Sequence, residues 1–216
     1  PSLQIKTTER FEKKAFLDKK IADKPFELKL EPRDYQLESS INALKRGNGI
    51  IVLPTSAGKT LTIGLIANTL HLEKKCKILI LVPNIQLVQQ TFQDFIDYGI
   101  EPSLFSKWTG NHAYTDSPIV IANSQILLSE KQDTDVLKTF EAVIVDECHK
   151  FATAPKITKL IKNLNFNYIF GFTGSLPENK FDVWSLNRIF GPVIYHKKSI
   201  ELRQNQYISK VRVVSL

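Results

Sequence analysis

Apolar residues in this chain gather into short, nearly unbroken runs, and longer stretches with helical spacing lie between them. The runs are Gly49–Leu53 (GIIVL), Lys77–Val82 (KILILV), Pro118–Ala122 (PIVIA), Ala142–Asp146 (AVIVD) and Tyr168–Thr173 (YIFGFT). Each has the length of a strand and lacks the apolar–polar alternation of a half-wet sheet. Strands that are apolar on both sides belong to a parallel sheet covered on both faces. Helices are predicted at Asp34–Lys45, Lys59–Leu72, Ile85–Tyr98, Ile157–Leu164 and Phe181–Phe190. In Ile85–Tyr98, the side chains of Leu87, Val88, Phe92, Phe95 and Ile96 share one face. Shorter elements are expected at Ser103–Phe105 (strand), Gln125–Leu128 (helix) and Val211–Val214 (last strand). The alternation predicts an α/β fold, a mostly parallel sheet with helices on both faces.

The first 24 residues read differently from the rest. Thr7–Lys24 is dense in charge, with Phe11, Ala15, Phe16, Ile21 and Ala22 at helical spacing. That pattern predicts a short helical extension or linker over residues 1–24, ahead of one domain over residues 25–216. Pro25 and Pro32 interrupt the chain before the next helix. Trp184 is expected in the core under Phe181–Phe190. Trp108, in a polar loop Lys107–His112, is expected to cap the core rather than to stack on a base.

Composition narrows the class. At 216 residues, with 43% hydrophobic and 24% charged positions, the chain can bury a core without disulfides. Its two cysteines, Cys76 and Cys148, form no CxxC pair and read as reduced, buried thiols of a cytoplasmic protein. No apolar run approaches a bilayer span and no signal peptide is evident, so no membrane partner is expected. The net charge of +7 favours a polyanionic partner. Pro1 at the start and the absence of methionine suggest a piece of a longer protein.

Two motifs carry chemistry. The first is Pro54-Thr55-Ser56-Ala57-Gly58-Lys59-Thr60, placed after a predicted strand and opening a predicted helix. There, backbone N–H groups at a helix start can face a triphosphate, Lys59 can reach its β- and γ-phosphates, and the Thr60 hydroxyl can ligate Mg²⁺. The strict phosphate-loop pattern begins with glycine, and this chain has Leu53 in that place. The second motif is Asp146-Glu147-Cys148-His149 at the end of an apolar strand. Ligands collect beyond the carboxyl ends of strands in open α/β sheets. Asp146 suits Mg²⁺ and Glu147 suits the polarisation of an attacking water. His149 is placed to couple this site to neighbouring strands.

Together these motifs resemble superfamily-two helicases, over roughly Pro25 to Leu216. The Pro-Thr-Ser-Ala-Gly-Lys loop and the Asp-Glu-Cys-His box are most similar to phage UvsW-type DNA helicases. The RecG-like and XPB-like helicases and restriction-enzyme motor subunits resemble the chain less. The resemblance implies the first RecA-like phosphate-loop domain of an ATP- and Mg²⁺-dependent motor. It implies that Arg33 and Gln36 read adenine, a task the Gln amide suits because it both donates and accepts. It places Pro83, Asn84 and Gln90, and then Asn123 and Gln125, on a nucleic-acid backbone. Contacts of that kind are independent of base sequence. Asn84 and Asn123 also suit helix capping. Thr173 and Ser175, around Gly174, match the segment that couples ATP to strand separation.

The expected partner is DNA more than RNA, together with a second RecA-like domain of the same full-length protein. That domain would supply arginine fingers, so the present chain is expected to hydrolyse ATP poorly alone. DNA recombination and repair are processes such a motor serves, in the host cytoplasm if the source is a phage. Two other readings stand beside it: a nucleotide-gated binding module without motor activity, and an RNA-directed helicase. Glu147 favours the enzyme, because a pure switch needs no water-activating carboxylate.

Overall fold

The computed structural model describes residues 29–128 and 134–204. The expected extension over residues 1–24 and the strand at Val211–Val214 lie outside the described residues. Along the chain run α1 (Asp34–Arg46), β1 (Asn48–Val52), α2 (Lys59–Lys74), β2 (Ile78–Val82), α3 (Ile85–Asp97), β3 (Phe105–Trp108) and β4 (Ile119–Asn123). Then follow α4 (Thr134–Lys138), β5 (Ala142–Val145), α5 (Pro155–Leu164), β6 (Tyr168–Thr173), α6 (Lys180–Phe190), β7 (Val193–His196) and α7 (Ser199–Gln204). The seven strands form one sheet in the order β3-β4-β2-β5-β6-β1-β7, and every pairing is parallel.

The apolar runs become β1, β2, β4, β5 and β6, buried at every position. Because side chains alternate across a strand, each run feeds two cores. Ile51, Ile78, Ile80, Ile121, Ile144, Phe170 and Phe172 face one core, with α1, α2 and α3. Ile50, Val52, Leu79, Leu81, Val143, Val145 and Ile169 face the other, which α5 and α6 close with Ile157, Ile161, Leu186, Ile189 and Phe190. The helix α2 is buried without a break from Leu61 to Leu70, as expected of a helix inside a layer rather than on its surface.

Three expectations are corrected. The segment Ser103–Phe105 is not a strand: Pro102–Leu104 is a 3₁₀ turn, and β3 starts at Phe105. Pro102 opens that turn, a place where its missing N–H costs nothing. Lys107 and Trp108 therefore belong to the edge strand and not to a loop. Trp108 still covers the core, edge-on to Tyr114 at 5.3 Å between ring centroids. Trp184 is not a core residue. It is 59% exposed, because Leu186, Ile189 and Phe190 form the buried face of α6.

Candidate active site

The phosphate loop leaves the end of β1 through Leu53 and Pro54. It makes a 3₁₀ turn at Thr55–Ala57 and enters α2 at Lys59. Gly58 is its pivot, with φ 69° and ψ 46°. A Cβ on Gly58 would lie 2.6 Å from the Gln36 side-chain nitrogen, so both the backbone conformation and the space require glycine. No side chain caps α2 at Gly58. Its first-turn N–H groups, with the helix dipole behind them, are set for an anion. Leu53, standing where the strict pattern has glycine, is fully buried in the first core and anchors the loop.

The preceding helix holds the loop from outside. Tyr35, 2% exposed, donates its hydroxyl to the Ala57 carbonyl at 2.8 Å. The Gln36 Nε2 donates to the carbonyls of Ala57 (3.0 Å) and Gly58 (3.2 Å), and its Oε1 accepts the Arg33 N–H at 3.0 Å. The Arg33 guanidinium donates to the Tyr35 hydroxyl at 3.1 Å. Gln36 is therefore buried and engaged with the loop, where residue type alone would put it on an exposed helix face. Tyr35 was missed by the sequence reading; the buried helical face it shares with Ser39 and Ala43 is the signal that could have found it.

The acidic box lies across β6 from the loop. The strand β6 sits between β1 and β5, so the two motifs flank a common neighbour. Asp146 follows the last residue of β5. Its N–H donates to the Leu81 carbonyl at 2.8 Å, and its carboxylate accepts the Glu147 N–H at 2.9 Å. Burial pushes the Asp146 carboxyl above the usual carboxylate range, and the Lys59 charge opposes that only in part. Glu147 adopts a left-handed conformation, φ 51° and ψ 45°. A non-glycine residue there costs on the order of 1–2 kcal/mol, and such strain gathers at functional sites. The residue after it is locked from below. Cys148 is fully buried, and a Cβ at Gly171 of β6 would lie 2.8 Å from its sulfur. Glycine inside that strand is what admits the thiol. Burial raises the Cys148 thiol well above its ordinary range, so it is a packing group and not a nucleophile.

These parts meet. The Lys59 Nζ lies 3.1 Å from a Glu147 carboxylate oxygen across 88 residues of sequence, with side chains 6% and 22% exposed. The other Glu147 oxygen lies 3.3 Å from His149 Nδ1, which is 3.0 Å from the Thr173 hydroxyl. The Thr173 hydroxyl donates to the Ser175 carbonyl at 2.7 Å, so its oxygen accepts from His149 and the ring proton sits on Nδ1. A chain of polar contacts thus runs from Lys59 through Glu147 and His149 to Thr173, at the end of β6. Ser175 joins it by its carbonyl. Gly174 passes within 3.4 Å of the Thr55 hydroxyl, as measured from the Cβ it lacks.

Among the described residues no three His, Cys, Asp or Glu side chains gather to hold a metal alone. Asp146 fits a divalent cation brought by a triphosphate, since Mg²⁺ takes one or two protein oxygens and keeps phosphate and water for the rest. Burial without a full counter-charge is the observation that supports this. The Thr60 hydroxyl is turned to the Asp94 carboxylate of α3, a contact the sequence did not suggest.

Of the five positions assigned to a nucleic-acid backbone, Pro83, Asn84, Asn123 and Gln125 lie at the ends of β2 and β4, and Gln90 lies inside α3. Pro83 separates β2 from α3, and Asn84 caps α3, accepting the Leu87 N–H at 2.9 Å. Gln90 and Gln125 are exposed. Asn123, paired with Val82 in the sheet, is only 5% exposed. The outward-facing groups of this segment are thus Asn84, Gln90 and Gln125. No described helix is long and apolar enough to cross a membrane.

Comparison with known proteins fits this geometry. Residues 29–178 match the family described as type III restriction enzyme, res subunit. The chain is 30% identical over 195 residues to the ATP-dependent DNA helicase uvsW of Enterobacteria phage T4, covering 87% of this chain and 38% of that protein. It is 29% identical over 213 residues to the DNA 3'-5' translocase XPB2 of Sulfurisphaera tokodaii, covering 95% of this chain and 45% of that protein. The crystal structure of the UvsW helicase from bacteriophage T4 superposes with a TM-score of 0.66 at 31% identity, covering 77% of this chain and 60% of that one. The chain spans less than half the length of these two curated relatives.

Proposed function

This chain belongs to the type III restriction enzyme res-subunit family, as the first RecA-like domain of a superfamily-two helicase, and from that premise we propose that its parent protein couples ATP hydrolysis to movement on DNA. The observation that carries the reading is the 3.1 Å contact between Lys59 and Glu147, made by two motifs 88 residues apart. It sets the phosphate-binding cation beside the carboxylate suited to polarise water. In the proposed cycle the γ-phosphate takes Lys59 from Glu147, freeing that carboxylate to orient water. Asp146 and the Thr60 hydroxyl are the groups that would hold Mg²⁺ at this site. When bound, the ion neutralises charge on the β- and γ-phosphates. The release of Glu147 is felt by His149 and then Thr173, which gives ATP binding a route to the end of β6. Arg33 and Gln36 report an adenine base to the loop through the Ala57 and Gly58 carbonyls. A second RecA-like domain of the parent protein completes the site.

The names of the two relatives above, a DNA helicase and a DNA translocase, support a DNA track, with Pro83, Asn84, Gln90, Asn123 and Gln125 along its backbone. The test is ATP turnover by the full-length protein with branched DNA, single-stranded DNA or RNA. Stimulation is expected with DNA, and Lys59→Ala should lower it by on the order of 10²-fold or more. Undiminished turnover in Lys59→Ala would remove the motor reading, and stimulation by RNA alone would redirect it.

A further inference from the structure

On the face of the sheet away from α1, α2 and α3, the helices α5 and α6 leave a cleft of about 310 Å³. One side of α5 supplies Pro155, Thr158, Lys159 and Lys162, at helical spacing, and α6 supplies Ser185 and Arg188. Three cations therefore line one cleft, with no acid among its lining groups. Among the described residues no carboxylate pairs with Lys159, Lys162 or Arg188. The Lys162 ammonium is pushed below its ordinary range by burial first and by the Arg188 charge second. Like charges left facing each other are stabilised by an incoming anion. Beside the cleft, α6 exposes aromatic rings. Phe181, Trp184 and Arg188 follow one exposed stripe of α6, and the first two are 79% and 59% exposed. The Arg188 guanidinium lies 4.7 Å from the Trp184 ring centroid, which holds the indole at the edge of the cleft.

We propose that the α5–α6 cleft holds a single strand of nucleic acid, its phosphates on Lys159, Lys162 and Arg188 and its bases on Trp184 and Phe181. This rests on the reading of the chain as a nucleic-acid motor and adds a second contact to it, apart from the β2 and β4 ends. Cations interleaved with exposed rings serve a strand with unpaired bases, because every base has a face to stack. An acidic peptide would use the cations and leave the rings in water. Position agrees: α5 also packs on the 3₁₀ turn Ser124–Leu128 that carries Gln125, so a strand leaving that turn crosses α5 to reach the cleft.

The experiment titrates the 216-residue chain with labelled oligo(dT) over a range of salt. The double variant Lys159→Glu/Lys162→Glu should lose about tenfold or more in affinity. Its log–log salt slope should fall by about 1.4, at roughly 0.7 per phosphate contact on a single strand. Trp184→Ala should weaken binding by roughly five- to 150-fold, the effect of one stacked base. In a Trp108→Phe background, oligo(dT) should quench Trp184 emission. An unchanged unfolding midpoint and unchanged affinity for a fluorescent ATP analogue in the groove variants show that the fold and the phosphate loop are intact. Unaltered affinity and salt slope in both variants, with nucleotide still bound, overturn the cleft alone. Polyglutamate that displaces oligo(dT) from the cleft and quenches Trp184 equally overturns it in favour of an acidic protein. A chain that binds neither nucleotide nor oligonucleotide overturns the motor reading with it.

Discussion

Two groups of strand ends share one edge of this sheet and are built to different standards. At the ends of β1, β5 and β6, the side chains of the candidate active site are mostly buried and tied to one another. Lys59 meets Glu147, Glu147 meets His149, His149 meets Thr173, and Gln36 closes over the loop. Beyond the ends of β2 and β4, Asn84, Gln90 and Gln125 face outward, and of their side chains only that of Asn84 is bonded among the described residues, as the cap on α3. On the proposed function the contrast follows from the ligands. A transferring phosphoryl group needs charges fixed to fractions of an ångström, which only a packed and mutually bonded set provides. A nucleic-acid backbone that must slide is better held by exposed groups, each worth little.

The largest expected effect separates the two regions outright. In the full-length protein Glu147→Gln should lower ATP turnover by about 10²- to 10⁴-fold while leaving nucleotide and DNA affinity nearly unchanged. Single-turnover ATPase and filter binding check it, and a parallel loss of DNA affinity would break the comparison.

A smaller effect tests whether the acidic box is rigid because of what lies beneath it. Gly171→Ala drives a Cβ to 2.8 Å from the Cys148 sulfur and 3.1 Å from the Phe190 ring. It should cost about 1–3 kcal/mol of stability, read from urea unfolding. Cys148→Ala in the same chain should recover part of that loss, since it removes the sulfur being struck.

On the exposed side, Asn84→Ala removes a helix cap and should cost about 1 kcal/mol. DNA affinity should fall a few-fold at most, with turnover at saturating DNA unchanged. A collapse of turnover would show that this end is as interlocked as the other.

The last test reads the strain at Asp146. Burial raises its folded carboxyl above the unfolded value, so the folded state holds the proton more tightly. Stability from this group therefore falls as pH rises from the ordinary carboxylate range through the raised value, and stays low above it. Asp146→Asn should accordingly raise the thermal midpoint at neutral pH, and the gap should close as the solution is acidified. A variant less stable than the parent at neutral pH would show that Asp146 is not held at a cost.

How legible the molecule was in its sequence depends on where the information sits. The strands β1, β2, β4, β5 and β6 were legible because each is apolar on both faces, a local pattern that needs no knowledge of neighbours. The strand β7 was not, because an edge strand with half-exposed residues has no such run. Trp184 was placed inside on residue type, yet α6 rotates Leu186, Ile189 and Phe190 inward instead. The phosphate loop and the acidic box could be named from spacing and flanking strands. Gly171, which seats the box, could not, and Tyr35, which holds the loop, was marked only by the helical face it shares with Ser39 and Ala43.

What the order of residues determined by itself was local: which stretches are strands, where glycine must allow a left-handed turn, and which side chains could carry phosphate chemistry. What only the folded sheet decided was adjacency. Placing β6 between β1 and β5 joins Lys59 to Glu147, seats Cys148 under Gly171, and sets Thr173 beside His149. Placing α5 against α6 gathers three cations from two helices into one cleft. Strand order comes from burying both faces of the sheet at once, a property of the whole chain that no window of sequence contains.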